Sequence, residues 1–525
     1  MSQAFYAGGQ PLFILSEGTR RTRGRDAQGS NIAAGKAVSG AVRTTLGPRG
    51  MDKMLVSSSG DVVITNDGAT ILNKMDIEHP AAQMIVEVSQ TQEDEVGDGT
   101  TTAAVLAGEL LAKAEDLLED DVHATTIVEG YHEAARLAHE AIDAQVLSDE
   151  LDDNLLEKVA ESSMTGKGTG DVAADVLAKT VVKAIRHVQG EKKVERDNVR
   201  IHTQVGSSSS ATELVEGVIL DEEPVNENMP RTVENATIAV LDMELDVRKS
   251  HVDAEYNITS IEQLNAAIEA EEGELRGYAA ALKDAGVDVV FATDDIDDRV
   301  GSFLAKADIL AYENVGKKDA TAIARATGAT RIGTLEDVSD DDFGHADRIH
   351  VRRFGDEELT FLEGGAAAES VTVFVRGGTQ HVCDELERAL EDALDVVTAA
   401  LDKGGVVPGA GATEIAVADY IRAKSAGIEG RKQLAVNAFA DAVDMLPRTL
   451  AENTGMDPID ALVDLRSRFE AEGRAGVIAE GQTGVIGDPL EYGIMDPAAV
   501  KHEAVESATE AATMIVRIDD VIAAK

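Results

Sequence analysis

The feature that most constrains the fold is a change of pattern in the middle of the chain. Short apolar runs such as "VDVVFAT" alternate there with stretches of helical period, whereas the two ends are almost entirely helical. Alternating strands and helices favour a compact α/β unit with parallel strands. The expected strands are 236–245, 287–293 and 308–314, and the expected helices between and after them are 261–284, 298–307 and 319–327.

The helical ends contain two exceptions. Residues 31–46 predict a helix that Gly47 and Pro48 stop, and "KMLVSSSGDVVITND" after it predicts a β-hairpin around 57–60. At the other end, "TMIVRIDD" has the composition of a terminal strand. Both strand segments need partners that the local sequence does not provide.

The chain is strongly acidic, with a net charge of −49. Because 43% of its residues are hydrophobic and long segments keep a helical period, we expect a folded protein with a dense carboxylate surface. Such a surface repels itself unless salt shortens the Debye length to about 3 Å near 1 M. The charge therefore predicts a salt-loving source and argues against a nucleic-acid partner.

Cys383 is the one cysteine, so no intrachain disulfide can form and a reducing compartment fits. The first residues lack the basic start, long apolar run and cleavage site of a secretory signal. No apolar run approaches the roughly 18 residues of a membrane span. We therefore expect a cytoplasmic protein with no membrane partner.

The stretch "EVGDGTTTAAVLAGELL" at 95–111 places two glycines and three threonines before an alanine-rich helix. The N-terminus of that helix offers unpaired N–H groups and a positive dipole, which suit a phosphate. Thr100, Thr101 or Thr102 could equally cap the helix with nothing bound. This stretch alone leaves both interpretations open.

Four further stretches also allow either a ligand site or an ordinary turn or cap. "TTLGPRGMDKML" at 44–55 fits a phosphate loop or a helix end with a turn. "ITNDGAT" at 64–70 places Asp67 in a candidate Asp-Gly turn, and "GGVVPGAGATE" at 404–414 places glycines before a helix. "GIMDPAAVKHEA" at 493–504 places Asp496 where an N-cap would stand.

Two candidate residues lie outside these stretches. By periodicity alone Asp392 belongs to the solvated face of a long helix, and Lys167 in "SSMTGK" is a loop lysine. A Walker A loop is absent, because each Gly-Lys pair of the chain is followed by the wrong residue. If the chain binds a nucleotide, it does not use the common P-loop.

Taken together and in this order, these motifs resemble the group II chaperonins of archaea, the thermosome family. The resemblance rests on "TLGPRGMDKML", "TNDGATIL", "VGDGTTTAAVLAGELL", "SSMTGK", "ERALEDALDVV", "GVVPGAGATE" and "GIMDP", and it extends over essentially the whole chain. The stretch "DMELDVRKSHVDAEYNITSIEQLNAAIEAEEGEL" also resembles the built-in lid of these chaperonins.

The resemblance implies a multidomain fold of α/β and α type. It places a mostly helical equatorial ATP-binding domain at 1–145 and 404–525 and a small intermediate domain at 146–217 and 366–403. It places an α/β apical substrate-binding domain at 218–365, with a helical lid protrusion at about 248–275.

The resemblance also gives the motifs roles in ATP hydrolysis. Asp67 and Asp392 would position and activate the attacking water, and Lys167 would sense the γ-phosphate. Asp98 would bind Mg²⁺, and Asp496 would contact the ribose. The remaining nucleotide contacts would be Thr45, Leu46, Gly47, Pro48, Gly99, Thr100, Thr101, Thr102, Gly409, Ala410 and Gly411. Ala410 departs from the family pattern, where three glycines are common.

The implied function is that of an ATP-dependent chaperone that encloses unfolded polypeptides in two stacked rings, each of eight subunits. The hairpin and the terminal strand would complete a sheet across neighbouring subunits. Two alternatives of other classes remain at this point. One is a ring-forming scaffold that holds unfolded chains without ATP turnover, and the other is a metabolic kinase, which the missing Walker A loop disfavours.

Overall fold

The computed structural model describes residues 5–7, 10–12, 20–147, 151–166, 173–190, 193–247, 261–336, 338–355, 357–365 and 370–523. The chain divides into two compact units. Unit 1 comprises Met1–Thr169, Ala173–Val182 and Arg388–Lys525, and unit 2 comprises Gly170–Val172 and Lys183–Glu387.

The helices follow the apolar periodicity of the sequence. They are α1 (Arg25–Val42), α2 (Gly68–Lys74), α3 (Pro80–Val96), α4 (Thr100–Glu119), α5 (Ala124–Asp143), α6 (Asp153–Met164), α7 (Ala174–His187), α8 (Ile261–Asp284), α9 (Asp298–Lys306), α10 (Lys317–Thr327), α11 (Gln380–Lys403), α12 (Ala412–Ser425), α13 (Lys432–Val443), α14 (Met445–Asn453), α15 (Pro458–Glu472) and α16 (Ala498–Val516).

The strands are short, and β6 to β15 belong to unit 2. They are β1 (Phe5–Ala7), β2 (Gln10–Leu12), β3 (Arg20–Arg23), β4 (Lys53–Val56), β5 (Val62–Thr65), β6 (Val199–Val205), β7 (Glu213–Val215), β8 (Gly217–Leu220), β9 (Thr232–Leu241), β10 (Val289–Ala292), β11 (Leu310–Tyr312), β12 (Arg331–Ile332), β13 (Gly344–Phe354), β14 (Glu357–Gly365), β15 (Val371–Gly377), β16 (Val406–Pro408), β17 (Gly476–Ile478), β18 (Val485–Gly487), β19 (Met495–Pro497) and β20 (Asp520–Ala523).

Unit 2 is built on a mixed sheet with strand order β11-β10-β9-β13-β14-β8, and β12 pairs with β9 at one end. The pairs of β9 with β10 and of β10 with β11 are parallel, which confirms the predicted α/β unit. Fully buried apolar side chains on both faces explain why these strands read as continuous apolar runs. A second sheet of order β6-β15-β7 completes the unit.

Unit 1 is mostly helical, and α4 lies in its core. From Ala103 to Ala107 every residue of α4 is buried, and α1, α3, α13 and α16 pack around it. The hairpin of β4 and β5 is antiparallel and confirms the prediction for this segment.

The prediction of a terminal strand at 513–520 is wrong in its position. The apolar residues Ile515 and Val516 are fully buried as the last turn of α16, where they continue its helical period. The strand follows as β20, which pairs antiparallel with β3 of the same chain. The first predicted helix also shifts, because α1 begins at Arg25 and a 3₁₀ turn at Arg43–Thr45 follows it.

Two predicted features fall wholly or partly outside the described residues. Lys167 is one of them. Of the predicted lid at 248–275, the part from Ile261 onward belongs to α8 and the part before it is not described. Among the described residues, no helix is long and apolar enough to cross a membrane.

Candidate functional site

The N-terminus of α4 has no side-chain cap. Its N-cap residue is Gly99, in the left-handed region with φ +80°, so the alternative of a threonine cap is wrong. Among the described residues, the first-turn amides, beginning at the buried Thr100 and Thr101, therefore have no intrahelical or capping partner. An uncapped helix start with its positive dipole end is suited to an anion.

Asp67 links the start of α2 to the start of α4. It caps α2, where its Oδ2 accepts a hydrogen bond of 2.6 Å from the Thr70 amide. Its Oδ1 accepts from the Thr100 hydroxyl at 3.4 Å. A Cβ on Gly68 would lie 2.4 Å from Thr101 Oγ1, so only glycine permits this approach. The stretch 64–70 therefore opens a helix against α4 and does not form a simple Asp-Gly turn.

Asp98 lies in the loop between α3 and α4. Its Oδ1 accepts from the Gly99 amide at 2.7 Å, and its carbonyl accepts from Gln92 Nε2 at 2.7 Å. No described residue donates to its Oδ2. Across the described residues, no three His, Cys, Asp or Glu side chains are arranged to hold a metal. A single carboxylate at an anion site nevertheless fits Mg²⁺, which is often bound by one or two carboxylates plus substrate phosphates and water.

Helix α11 lies directly against this loop. A Cβ on Gly97, which has φ +67°, would lie 2.2 Å from the Cβ of Asp395. Asp392 stands three residues earlier on α11, one helical turn away, and is half-buried. The expectation of a fully solvated face at Asp392 is therefore not met, and the contact of α11 with the loop is made by Asp395.

The loop after α1 is fixed by α14. Gly47 has φ +85°, and a Cβ there would lie 2.4 Å from Leu450 Cδ2. The Leu46 carbonyl accepts from Asn453 Nδ2 at 2.8 Å, and Thr45 is buried. Close packing against α14 thus fixes the backbone of this loop.

Pro48 extends the same loop toward the end of α6. A Cβ on Gly166 would lie 2.8 Å from the Pro48 carbonyl oxygen, and the Gly166 carbonyl accepts from Asn66 Nδ2 at 3.1 Å. Residues 45–48 and 64–70 therefore both contact residue 166. Lys167 follows directly in the sequence.

The loop before α12 contains two consecutive left-handed residues. Ala410 has φ +57°, and Gly411, the N-cap of α12, has φ +80°. The Gly409 amide donates to the Ile494 carbonyl at 3.1 Å. No described side chain caps α12, and although the Ala412 amide donates to the Gly409 carbonyl at 3.1 Å, the next amides of its first turn have no intrahelical acceptor.

Asp496 lies on β19, directly beside this loop. Pro497 takes the N-cap position of α16, so the prediction that Asp496 caps the helix is wrong. Its Oδ2 lies 2.6 Å from Lys501 Nζ. Its Oδ1 would be 3.2 Å from a Cβ on Gly409, so this oxygen faces the glycine loop.

Sequence reasoning missed Glu414 and Lys501, which complete this end of the site. Lys501 Nζ lies 2.8 Å from Glu414 Oε1; Glu414 is buried, and the Lys501 side chain is mostly covered. Burial alone would lower the pKa of Lys501, but the charges of Asp496 and Glu414 outweigh it and raise the pKa above its usual value. The signal available in the sequence was a lysine one turn into a helix whose other early residues are apolar.

Comparison with known proteins gives consistent matches. The sequence model of the TCP-1/cpn60 chaperonin family matches residues 38–525. The chain is 73% identical to thermosome subunit 3 of Haloferax volcanii over 518 residues, which cover 98% of this chain and 99% of that protein. It is 51% identical to thermosome subunit alpha of Halobacterium salinarum, covering 98% and 92% of the two chains. It is 50% identical to the thermosome subunit of Methanopyrus kandleri, covering 99% and 96%.

Proposed function

The chain belongs to the TCP-1/cpn60 chaperonin family, and we propose from this premise that ATP binds in unit 1 between α2, α4, α11 and the loop before α12. The protein is an ATP-dependent chaperone of the group II type, an ATPase that assists protein folding within a multi-subunit ring. Its acidic surface agrees with the relatives from Haloferax and Halobacterium, which support a halophilic source.

The main observation in support of the proposed site is the contact between the starts of α2 and α4 at Asp67, Gly68 and Thr100. It sets two helix N-termini side by side, of which α4 is uncapped and can point its first amides at a phosphate chain, whereas α2 is capped by Asp67. In this proposal Gly99, Thr100, Thr101 and Thr102 contact the phosphates, together with the loop of Thr45, Leu46, Gly47 and Pro48. Short-range amides are needed because a chain of charge −49 gives an anionic nucleotide no long-range attraction.

The chemistry is assigned to carboxylates around that phosphate site. Asp67 and Asp392 orient the attacking water and accept its proton, since carboxylates within hydrogen-bonding reach can serve as general bases. Asp98 holds Mg²⁺, which when bound neutralises phosphate charge and favours transfer of the γ-phosphoryl group. Lys167 senses the γ-phosphate. At the other end Gly409, Ala410 and Gly411 line the pocket and Asp496 contacts the ribose.

Domain roles follow from the same proposal. The equatorial domain is 1–145 with 404–525, the intermediate domain is 146–217 with 366–403, and the apical domain is 218–365. The two-unit division places parts of the intermediate segments in each unit, so the three-domain boundaries stay a prediction. The lid protrusion at about 248–275 includes the start of α8, where Ile261 and Ile268 are exposed.

Ring assembly is proposed to use the exposed hairpin of β4 and β5. Met54, Val56 and Ile64 are 65%, 64% and 45% exposed, which is unusual for large apolar side chains on one hairpin. Within the described part of the chain, its edges and those of the β3–β20 pair have no further strand partner, so they can join across neighbouring subunits into one sheet. We propose two stacked rings of eight subunits, with unfolded polypeptides as substrates and a cytoplasmic location.

The site assignment is tested by ATP binding and hydrolysis on intact rings in high salt, with Mg²⁺ and with EDTA. We expect hydrolysis to require Mg²⁺. Asp98→Ala should weaken Mg²⁺-ATP binding, and addition of EDTA should then change its residual affinity little. Mg²⁺-independent hydrolysis, or wild-type affinity in Asp98→Ala, would contradict the metal assignment. Electron micrographs of the same sample count the subunits in each ring.

A further inference from the structure

A buried ion cluster stands behind the proposed ribose contact. The ammonium of Lys501 lies 2.8 Å from Glu414 Oε1 and 2.6 Å from Asp496 Oδ2. The three side chains are 13%, 9% and 28% exposed, so water screens these charges poorly. The cluster joins the first turn of α12, the strand β19 and the start of α16.

The cluster is not accounted for by helix stability alone. Taking an ammonium and two carboxylates out of water carries a large desolvation penalty, and apolar residues of similar size often stabilise such a position equally well or better. Glu414 Oε2 is buried with no hydrogen-bond partner among the described residues, so the packing does not satisfy the cluster fully. A buried, incompletely satisfied ion cluster beside a ligand pocket indicates a functional role.

The two oxygens of Asp496 face different neighbours. Oδ2 is held by Lys501, whereas Oδ1 lies against the loop of Gly409 and accepts no hydrogen bond from a described residue. Without Lys501 the carboxylate could rotate about its terminal torsion, which is broad for Asp. The ammonium therefore fixes which oxygen is presented to the loop.

We infer that Lys501 is a positioning residue that aims Asp496 Oδ1 at a ribose hydroxyl and, held by Glu414, makes the site prefer ribonucleotides to deoxyribonucleotides. The inference rests on the proposed function, in which Asp496 contacts the ribose. A site built to bind a substrate hydroxyl rejects the analogue that lacks it, because the buried acceptor is left unpaired. The preference is strongest when the acceptor cannot turn away.

The test compares ATP with 2′-deoxy-ATP and 3′-deoxy-ATP. Equilibrium dissociation constants and single-turnover rates are measured on assembled rings in high salt with Mg²⁺. The main variant is Lys501→Met with Glu414→Gln, which removes one positive and one negative charge together. It should bind ATP about tenfold more weakly and bind one deoxy analogue unchanged, with little change in the rate at saturation. Lys501→Arg should keep the wild-type preference, because it keeps a positive charge beside Glu414 and Asp496.

Two further variants separate the possible failures. Asp496→Ala should lose the preference for ATP over the deoxy analogue. Lys36→Met, which removes a 2.6 Å ion pair with Glu115 far along α4, should keep that preference. If Asp496→Ala loses the preference and the double variant keeps it, the inference on Lys501 is wrong and the ribose contact stands. If Asp496→Ala keeps it, the ribose contact itself is wrong.

Equal weakening of ATP and both analogues in the double variant would also overturn the inference, since a merely structural lysine would act in that way. A loss of preference in Lys36→Met would do the same, because the effect would not be specific to the cluster. If the double variant does not assemble, Lys501→Gln replaces it. That side chain keeps hydrogen-bonding atoms but no charge, and the same expected and contradicting results apply.

Discussion

The helices of unit 1 pack through small residues, whereas the main sheet of unit 2 packs through large ones. A Cβ on Gly108 of α4 would lie 2.2 Å from the Cβ of Ser39 on α1, so these two helices nearly touch backbone to backbone. In unit 2, Phe291 and Tyr312 are fully buried on neighbouring strands and stack with centroids 5.0 Å apart. At these two places unit 1 packs by approach of backbones and unit 2 by bulk of side chains.

The proposed site continues the packing style of unit 1. Gly68 against Thr101 and Gly97 against Asp395 are contacts of the same kind as Gly108 against Ser39. Close backbone approach places amides, which cannot rotate away, at fixed positions around an anion. A core of large side chains offers fewer such positions. We therefore expect the proposed chemistry in unit 1, where these glycine contacts surround the proposed phosphate site.

The largest expected effect is on the rate of hydrolysis. Asp392→Ala should slow single-turnover ATP hydrolysis about 10²–10⁴-fold, or roughly 3–5 kcal/mol, because a group that activates the water is lost. ATP affinity should change little, since Asp98 and the loop amides remain. Asp384→Ala is the matched control, a half-buried carboxylate on the part of α11 that belongs to unit 2. A wild-type rate of hydrolysis in Asp392→Ala would show that Asp392 has no part in catalysis.

The second expected effect separates the two units by function. Replacing residues 248–275 by a short Gly-rich linker should leave rings and ATP hydrolysis intact, because none of the proposed catalytic residues lies there. Protection of a bound substrate from protease in the presence of ATP should be lost. As a control, the same linker is placed in the 479–484 loop of unit 1. If ATP hydrolysis is unchanged in this variant, protection of the substrate from protease should be unchanged too. Unchanged protection after replacement of 248–275 would show that the lid is misplaced.

A smaller effect tests the packing contrast itself. Gly108→Ala should lower the free energy of unfolding of unit 1 by about 1–3 kcal/mol, because the added methyl group overlaps Ser39. Gly277→Ala on α8 of unit 2 meets nothing within 4 Å and should raise stability by about 0.5–1 kcal/mol. Thermal unfolding of both variants shows whether the first substitution destabilises the protein and the second stabilises it. Equal effects would contradict the contrast between the units.

The same contrast explains what the sequence could predict. Strands of unit 2 such as β10 are uniform apolar runs, and their parallel pairing follows from the helices between them. The contacts of unit 1 depend on glycines inside helices, such as Gly35 and Gly108, which from sequence alone look like weak points of a helix. Long-range partners decide their role, and a local pattern does not contain them.

The candidate site was predicted only through the joint order of its motifs. Each motif alone allowed a turn or a cap, and the backbone geometry removed those alternatives at Thr100 and Asp496. The buried cluster of Lys501 and Glu414 could not be predicted, because the two residues are far apart in the sequence and each looks like a surface charge. The pairing of β16 with β19 brings their helices together.

The smallest expected effect concerns Ala410, an alanine whose backbone has the left-handed conformation that glycine usually adopts. Among the described non-glycine residues with positive φ, the others are Asp121, Asn235, Asp308 and Asn314, types that tolerate this region. Alanine there costs about 1–2 kcal/mol relative to glycine, partly offset by the greater freedom of glycine in the unfolded chain.

Ala410→Gly should therefore stabilise unit 1 by roughly 0.5–1 kcal/mol, which corresponds to on the order of one degree in its thermal midpoint. Gly411→Ala, one residue on, should have the opposite sign, because it combines φ +80° with a Cβ only 2.9 Å from Pro447 Cβ. Both variants are measured without nucleotide in high salt, and ATP affinity is measured alongside. If Ala410→Gly destabilises the protein, the left-handed conformation at this position is not strained. If Gly411→Ala is neutral, the loop before α12 does not need the close approach on which the nucleotide site depends.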